Sequence, residues 1–254
     1  MMNNRNEEHD VINIKVAKLI GLYQMLDPGT IKYQGRNVAQ IIMASVLLIL
    51  TALSVMFGMG ILNYWTTNLP LSIDYIWKLI NTTLLIYKMR FIIHCSDDLW
   101  DDLSITRYDF TSYDNPNKHN ILDHWRDRTV LYTTIYFMVY MISAVFFIIL
   151  SLTFNEDKLP VTNQDGSIGY YRQNVLNFYL LASDETYNSH YCMFFVIEGA
   201  VAFLLTLLFI IFDVLLFTLC FGVCCQMAVL SYAFESLGFK LPCDHNSSVG
   251  EYDL

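Results

Sequence analysis

Apolar positions along the chain fall into long uninterrupted runs, not the short alternations of a soluble domain. No charged residue stands between Arg36 and Asp74, and none between Arg128 and Glu156. A helix needs roughly 20 mostly apolar residues to cross the hydrocarbon of a bilayer, so both stretches are long enough. The pattern predicts an all-α integral membrane helical bundle with about four transmembrane helices, over residues 38–62, 72–95, 129–154 and 194–226.

The second of these is the most polar. Asp74 and Lys78 lie four apart on one helix face and Asn81 follows, groups that must face protein, water or the interface and not lipid. Leu99 and Leu103 continue its stripe, which predicts a helix projecting past the membrane edge among Asp97, Asp98, Asp101 and Asp102, with Asn115-Pro116 as a breaker. The last run, Phe194 to Phe234, is interrupted only by Glu198 and Asp213. As one helix it would be about 60 Å long. No Pro or Asn-Gly turn marks a hairpin within it, which favours a single helix.

Polar segments, 96–128 among them, separate and flank the runs. Residues 1–37 form an N-terminal segment in which Val11, Ile14, Ala17, Lys18 and Leu22 recur at helical spacing before the Asp27-Pro28-Gly29 turn. That spacing predicts an amphipathic helix along the inner membrane surface. Asn63 to Pro70 read as a short outer loop, with Trp65 at the interface. Residues 155–192 form a long outer loop rich in tyrosine, and loops of that length commonly carry a function of their own. Residues 38–237 are then the membrane domain and 238–254 a short polar tail.

Composition agrees: 55% of the 254 residues are hydrophobic and only 15% charged. Acidic residues contribute little to orientation, so the net charge of -9 decides nothing, and the basic residues beside the spans are what count. Residues 1–37 hold five, residues 88–128 hold six, the first outer loop none and the long outer loop two, Lys158 and Arg172. The N-terminus is therefore expected in the cytoplasm. A G-protein-coupled receptor is excluded on that count, and of the six cysteines only Cys192 falls near the outer face, leaving no extracellular disulfide partner.

Candidate chemistry is sparse. Gly-rich phosphate loops and the H-E-x-x-H, C-x-x-C and G-x-S-x-G patterns are absent, which argues against an enzyme and points to no catalytic residue, cofactor or nucleic-acid partner. His119 and His124, five apart, do not share a helix face well enough to hold a metal. Cys220, Cys224 and Cys225 cluster toward the inner end of the last span, where acylation is one reading and small packing residues the plainer one. Asn81-Thr82-Thr83 and Asn246-Ser247-Ser248 match the glycosylation pattern, but one lies in a span and the other on the cytoplasmic side.

Two sets of residues stand out as functional candidates. Lys78, Glu198 and Asp213 are intramembrane polar groups, which mark either a pathway or, more simply, an interface position for Glu198 and an interhelical hydrogen bond for Asp213. Tyr75 and Leu79, then Ser143, Phe146, Phe147 and Leu150, then Phe194, Ile197 and Val201 recur at helical spacing in the outer halves of three spans. They could line an apolar pocket for a small ligand, or face lipid.

The order of features resembles the insect odorant receptors. The residues carrying the resemblance are Leu19-Ile20-Gly21-Leu22-Tyr23 with Asp27-Pro28 before the first span, Tyr87-Lys88-Met89-Arg90 at the second span's exit, Lys158-Leu159-Pro160 opening the long outer loop, and Phe212-Asp213-Val214-Leu215-Leu216-Phe217 with Gln226 and Leu230 in the last span. The resemblance implies a plasma-membrane subunit of an odorant-gated cation channel, assembled with an odorant co-receptor into a tetramer. It further implies that small apolar volatiles bind in the outer half of a pocket between helices. Members of that family have seven spans, so this chain is expected to be a partial sequence or a truncated product. The competing readings are a four-span accessory or scaffold protein, a transporter fragment and a gustatory-type receptor.

Overall fold

The structure is a computed structural model, and it describes residues 13–34, 36–105, 116–153, 158–163 and 166–238. The expected polar tail, Asn246-Ser247-Ser248 within it, the first turn of the N-terminal pattern and Asn115 lie outside those residues. Eight α-helices, α1 to α8, run in the order α1 (Ile14–Leu19), α2 (Leu22–Leu26), α3 (Val38–Tyr64), α4 (Leu69–His94), α5 (Ser96–Ile105), α6 (Pro116–Thr153), α7 (Asp184–Ser189) and α8 (Tyr191–Gly238) among the described residues, with a 3-10 turn at Tyr179–Leu181 before α7. Two antiparallel pairs accompany them: β1 (Lys32–Tyr33) with β2 (Arg36–Asn37), and β3 (Lys158–Thr162) with β4 (Ile168–Arg172).

The helices over Val38–Tyr64, Asp123–Thr153 and Tyr191–Tyr232 are long and apolar enough to cross a membrane, where the sequence predicts about four. α4 has comparable length, 26 residues, but Asp74, Lys78, Lys88 and Arg90 hold its composition short of the others. It packs along α3, while α6 packs along α8 and α8 also touches α4. The molecule is a multi-pass helical membrane bundle. α8 is one helix of 48 residues, about 70 Å long at 1.5 Å per residue against roughly 30 Å of hydrocarbon.

Local chemistry sets where the helices begin. The Asn37 side chain accepts a hydrogen bond from the Ala39 amide (2.9 Å) to cap α3, and donates to the Gln24 carbonyl (2.7 Å). Asn68 caps α4 through the Leu71 amide. Pro70 falls in the first turn, where a missing N–H costs nothing. The outer connection is therefore only residues 65–68, not the longer loop ending at Pro70 that the sequence predicts. In the same way Pro116 opens α6 instead of ending a segment.

The N-terminal segment departs from the single surface helix expected. Gly21 takes a left-handed conformation (φ 81°) and splits it into α1 and α2. Val16, Ala17, Leu22, Met25 and Leu26 are buried in one apolar cluster with Leu99 and Leu103 of α5 and with Leu208, Ile211 and Leu215 of α8. Asn13 caps α1 and also donates to Thr133 and Thr134 of α6 (3.0 and 2.9 Å). The acidic stretch is likewise its own helix, not an extension of α4. The chain turns at Cys95, after which Asp97 and Asp98 favour the N-terminus of α5, and Trp100 meets Tyr23 edge to face at 5.5 Å.

In the outer half, α3 and α4 approach closely because Gly60 has no side chain. A Cβ there would lie 2.8 and 2.9 Å from ring carbons of Tyr75 and 3.1 Å from Leu180, whereas one at Gly58 would meet nothing within 4 Å. Gly60→Ala is therefore expected to destabilise the bundle by about 1–3 kcal/mol through overpacking, and Gly58→Ala to leave it unchanged. Thermal unfolding in detergent checks the pair; equal melting temperatures would contradict the packing.

Candidate functional site, an aromatic cluster under a clamped loop

After β4 the chain turns inward, and residues 174–178 pass between the outer ends of α4 and α8 with their amides turned away from any strand or helix ladder. Glu198 of α8 collects those amides. Its Oε2 accepts from the Leu176 and Asn177 N–H groups, both at 2.7 Å, and its Oε1 accepts from the Phe178 N–H at 3.1 Å and from the Tyr187 hydroxyl at 2.6 Å. The carboxylate has no exposed surface. Consecutive backbone amides converging on one anion form a nest, and four donors supply what a buried carboxylate needs. Asn177 adopts positive φ (57°) to turn the chain here, a conformation asparagine tolerates.

α4 grips the same segment from the other side. The Tyr75 hydroxyl donates to the Asn177 carbonyl (2.6 Å) and the Lys78 ammonium to the Leu176 carbonyl (2.8 Å), while Lys78 is also paired with Asp74 one turn away. Asn174 donates to the Tyr187 hydroxyl (2.9 Å), and Tyr191 to the Gln173 carbonyl (3.1 Å). Burial, then the neighbouring Glu198 charge, pushes the Tyr179 and Tyr187 hydroxyls well above the ordinary phenol range. Both therefore stay protonated donors at any physiological pH.

Beneath the clamp lies an aromatic cluster. Tyr75 stacks on Tyr64 at 6.0 Å and sits 6.0 Å from Phe57, which in turn is 6.3 Å from Phe178; Tyr187 covers Phe194 at 4.5 Å. At the outer rim a cavity of about 300 Å³ opens between Asn63 and Tyr64 at the end of α3 and Asn163, Tyr171 and Tyr179 of the loop. Its lining is more polar than apolar and it opens to solvent, so the apolar part of the site is the packed aromatic cluster and not this rim cavity.

The structure brings together only part of the set proposed from sequence. Tyr75 and Phe194 are buried in this cluster, and Leu79 and Val201 pack at its border. Ser143, Phe146, Phe147 and Leu150 of α6 and Ile197 of α8 lie exposed on the outside of the bundle. A helical apolar stripe reads the same whether it meets lipid or protein, because lipid tails are as apolar as leucine. Phe57, Tyr64, Phe178, Tyr179 and Tyr187 were missed. The one signal for them was Glu198 itself, an acid in an apolar run that required donors from somewhere.

The remaining intramembrane polar groups form a second node deeper in. Asp213 of α8 accepts from the Tyr136 hydroxyl of α6 and pairs with Lys88 of α4 at 3.2 Å. The Lys88 ammonium also lies over the rings of Phe212 and Phe209, at 4.6 and 5.2 Å, a further stabilisation of a desolvated cation. This node joins three helices. Glu198 differs from the interface position proposed for it: it is enclosed, and its partner is the loop.

A family model described as 7tm Odorant receptor matches residues 63–251. The chain belongs to the odorant receptor family. No curated protein and no solved structure matches it. The matched residues of this odorant receptor family member include α4, the clamped loop and all of α8, hence both polar nodes and most of the aromatic cluster. The family is one of receptors and not of enzymes, and among the described residues no group of His, Cys, Asp and Glu side chains converges as a metal site.

Removing the anion should release the loop. Glu198→Ala is expected to make residues 170–178 cleavable by chymotrypsin in the detergent-purified protein. Glu198→Gln, which turns one acceptor into a donor facing amides, should cleave at an intermediate rate, each lost charge-assisted bond being worth about 1.5–3 kcal/mol. Cleavage rates indistinguishable among wild type and both variants would rule out the clamp.

Proposed function

We propose that the chain is an odorant-gated cation channel subunit of the plasma membrane, with its N-terminus in the cytoplasm, working with an odorant co-receptor in a tetramer. The family match over residues 63–251 is the observation that carries this reading. The basic residues support the orientation, with five in residues 1–37 and six in residues 88–128 against two in the long outer loop.

The ligand is a small apolar volatile, and Tyr75, Leu79, Phe194 and Val201, with Phe57 and Phe178, form its site between α3, α4 and α8. The buried, uncharged and largely aromatic character of that cluster supports the assignment. Ser143, Phe146, Phe147, Leu150 and Ile197, exposed on the outside of the bundle, face lipid or another subunit and are not part of this site. A ligand that fits the cluster better in one arrangement of α4 and α8 shifts the closed-to-open equilibrium by that difference in affinity. The loop clamped by Glu198, Lys78 and Tyr75 ties the two helices together over the ligand.

Co-expressed with an odorant co-receptor, the chain is expected to support cation currents evoked by apolar volatiles. Val201→Trp should raise the half-maximal concentration about tenfold, equivalent to about 1.4 kcal/mol of lost binding, with surface delivery unchanged. Normal delivery without current from any apolar volatile would favour the accessory-protein reading instead. An epitope placed before Val38 and reached by antibody on intact cells would overturn the orientation.

A further inference from the structure

The inner end of α8 carries three cysteines whose environments differ sharply. Cys225 is buried in the bundle, 2% exposed, whereas Cys220 and Cys224, one turn apart, are both exposed on the outside of the helix. Where these thiols sit relative to the bilayer follows from α6, which runs alongside. From Thr129 to Thr153 α6 has no charge, about 37 Å of helix at 1.5 Å per residue, enough for roughly 30 Å of hydrocarbon. Immediately before it stand Asp123, Arg126, Asp127 and Arg128, with Arg126 paired to both aspartates at 3.5 Å. Such a charged cluster marks the edge of the bilayer.

Phe221 is level with that edge. Its ring stacks on Tyr132 at 5.6 Å and meets Trp125 at 6.3 Å, one aromatic just past the charged cluster and one within it. Cys220 and Cys224 bracket Phe221 in sequence. Two accessible thiols therefore lie at the inner membrane boundary, and Leu216 and Phe217, both exposed one turn toward the bilayer, offer an apolar track along the helix surface. An exposed thiol pair at this depth is where a long acyl chain can be attached and at once buried in lipid. Cys192, also exposed, sits at the opposite end of α8.

We propose that Cys220 and Cys224 are a dual S-acylation site that fastens the inner end of α8 to the cytoplasmic leaflet. The inference rests on the cytoplasmic N-terminus argued above, since that orientation puts these residues on the cytoplasmic side. The co-reactant is a long-chain fatty acyl thioester of coenzyme A. The cysteine sulfur attacks its carbonyl carbon, a new carbon–sulfur bond forms, and the bond to the coenzyme sulfur breaks. Coenzyme A leaves as the free thiol, taking the cysteine proton, so nothing is oxidised or reduced.

The test is metabolic labelling of the whole chain in eukaryotic cells with an alkyne-bearing palmitate analogue, followed by click detection and hydroxylamine treatment. The expected result is a hydroxylamine-sensitive label that falls in Cys220→Ser and in Cys224→Ser, disappears in the double variant, and is unchanged in Cys225→Ser and Cys192→Ser. Serine is close to isosteric with cysteine, and surface delivery of each variant checks that folding is retained. A label that persists in the double variant overturns the proposal, as does its absence from a wild-type chain whose N-terminal epitope is reached only after permeabilisation. An absent label together with an epitope reached on intact cells removes the topology, and the acylation with it.

Discussion

A carboxylate with no access to water organises the outer half of this molecule. Glu198 cannot remain buried in an apolar run without donors, because an unpaired charge there costs several kcal/mol. Three consecutive loop amides and one phenol meet that demand. The loop, in turn, has no ladder of its own at residues 174–178 and could not stay dry without an acceptor. Each solves the other's desolvation problem. The tyrosines of the loop then close over Phe57, Tyr75 and Phe194, so the aromatic cluster is shielded from water because of one acid.

The two polar nodes also address a difficulty peculiar to membranes. Between helices surrounded by lipid, apolar burial contributes little, and association depends on close packing and hydrogen bonds. Glu198 and Asp213 are fifteen residues apart on α8, about 22 Å along the axis. On α4, Lys78, which holds the loop that Glu198 caps, and Lys88, which pairs with Asp213, are ten residues apart. Contacts at two separated levels fix rotation and sliding of one helix against the other, which a single contact cannot do. Between the levels the interior is apolar apart from Thr82, whose hydroxyl donates to the Lys78 carbonyl of its own helix. The burial of Leu22, Met25, Leu26, Leu99 and Leu103 is ordinary hydrophobic packing, which joins the N-terminal segment to α5, and α5 in turn touches α8.

The long helices were legible because length and lack of charge are one-dimensional properties: α3, the apolar part of α6 and α8 follow directly from runs in the sequence, and so does the unbroken character of α8. Shorter elements were misjudged where one residue outweighed the pattern. Gly21 split the amphipathic helix, Asn68 and Pro70 moved the start of α4 outward, and the turn at Cys95 separated α5 from α4. The antiparallel pair of β3 and β4 went unread, since Lys158–Thr162 and Ile168–Arg172 are too short and too mixed in polarity to signal a ladder.

The sequence by itself determined a helical membrane bundle, its kinship with odorant receptors, and that Lys78, Glu198 and Asp213 are intramembrane polar groups that must avoid lipid. Only the tertiary structure decided who those partners are and which apolar faces look inward. Tyr75 and Phe194 turn into the core while Phe146 and Phe147 turn out, although all four sit in equally apolar stripes. The reason is that periodicity records that a face is apolar, and a bilayer removes the contrast between outside and inside that would otherwise say which way it points. Contacts between residues far apart in the chain, such as Glu198 with Leu176 and Asp213 with Lys88, settle that direction.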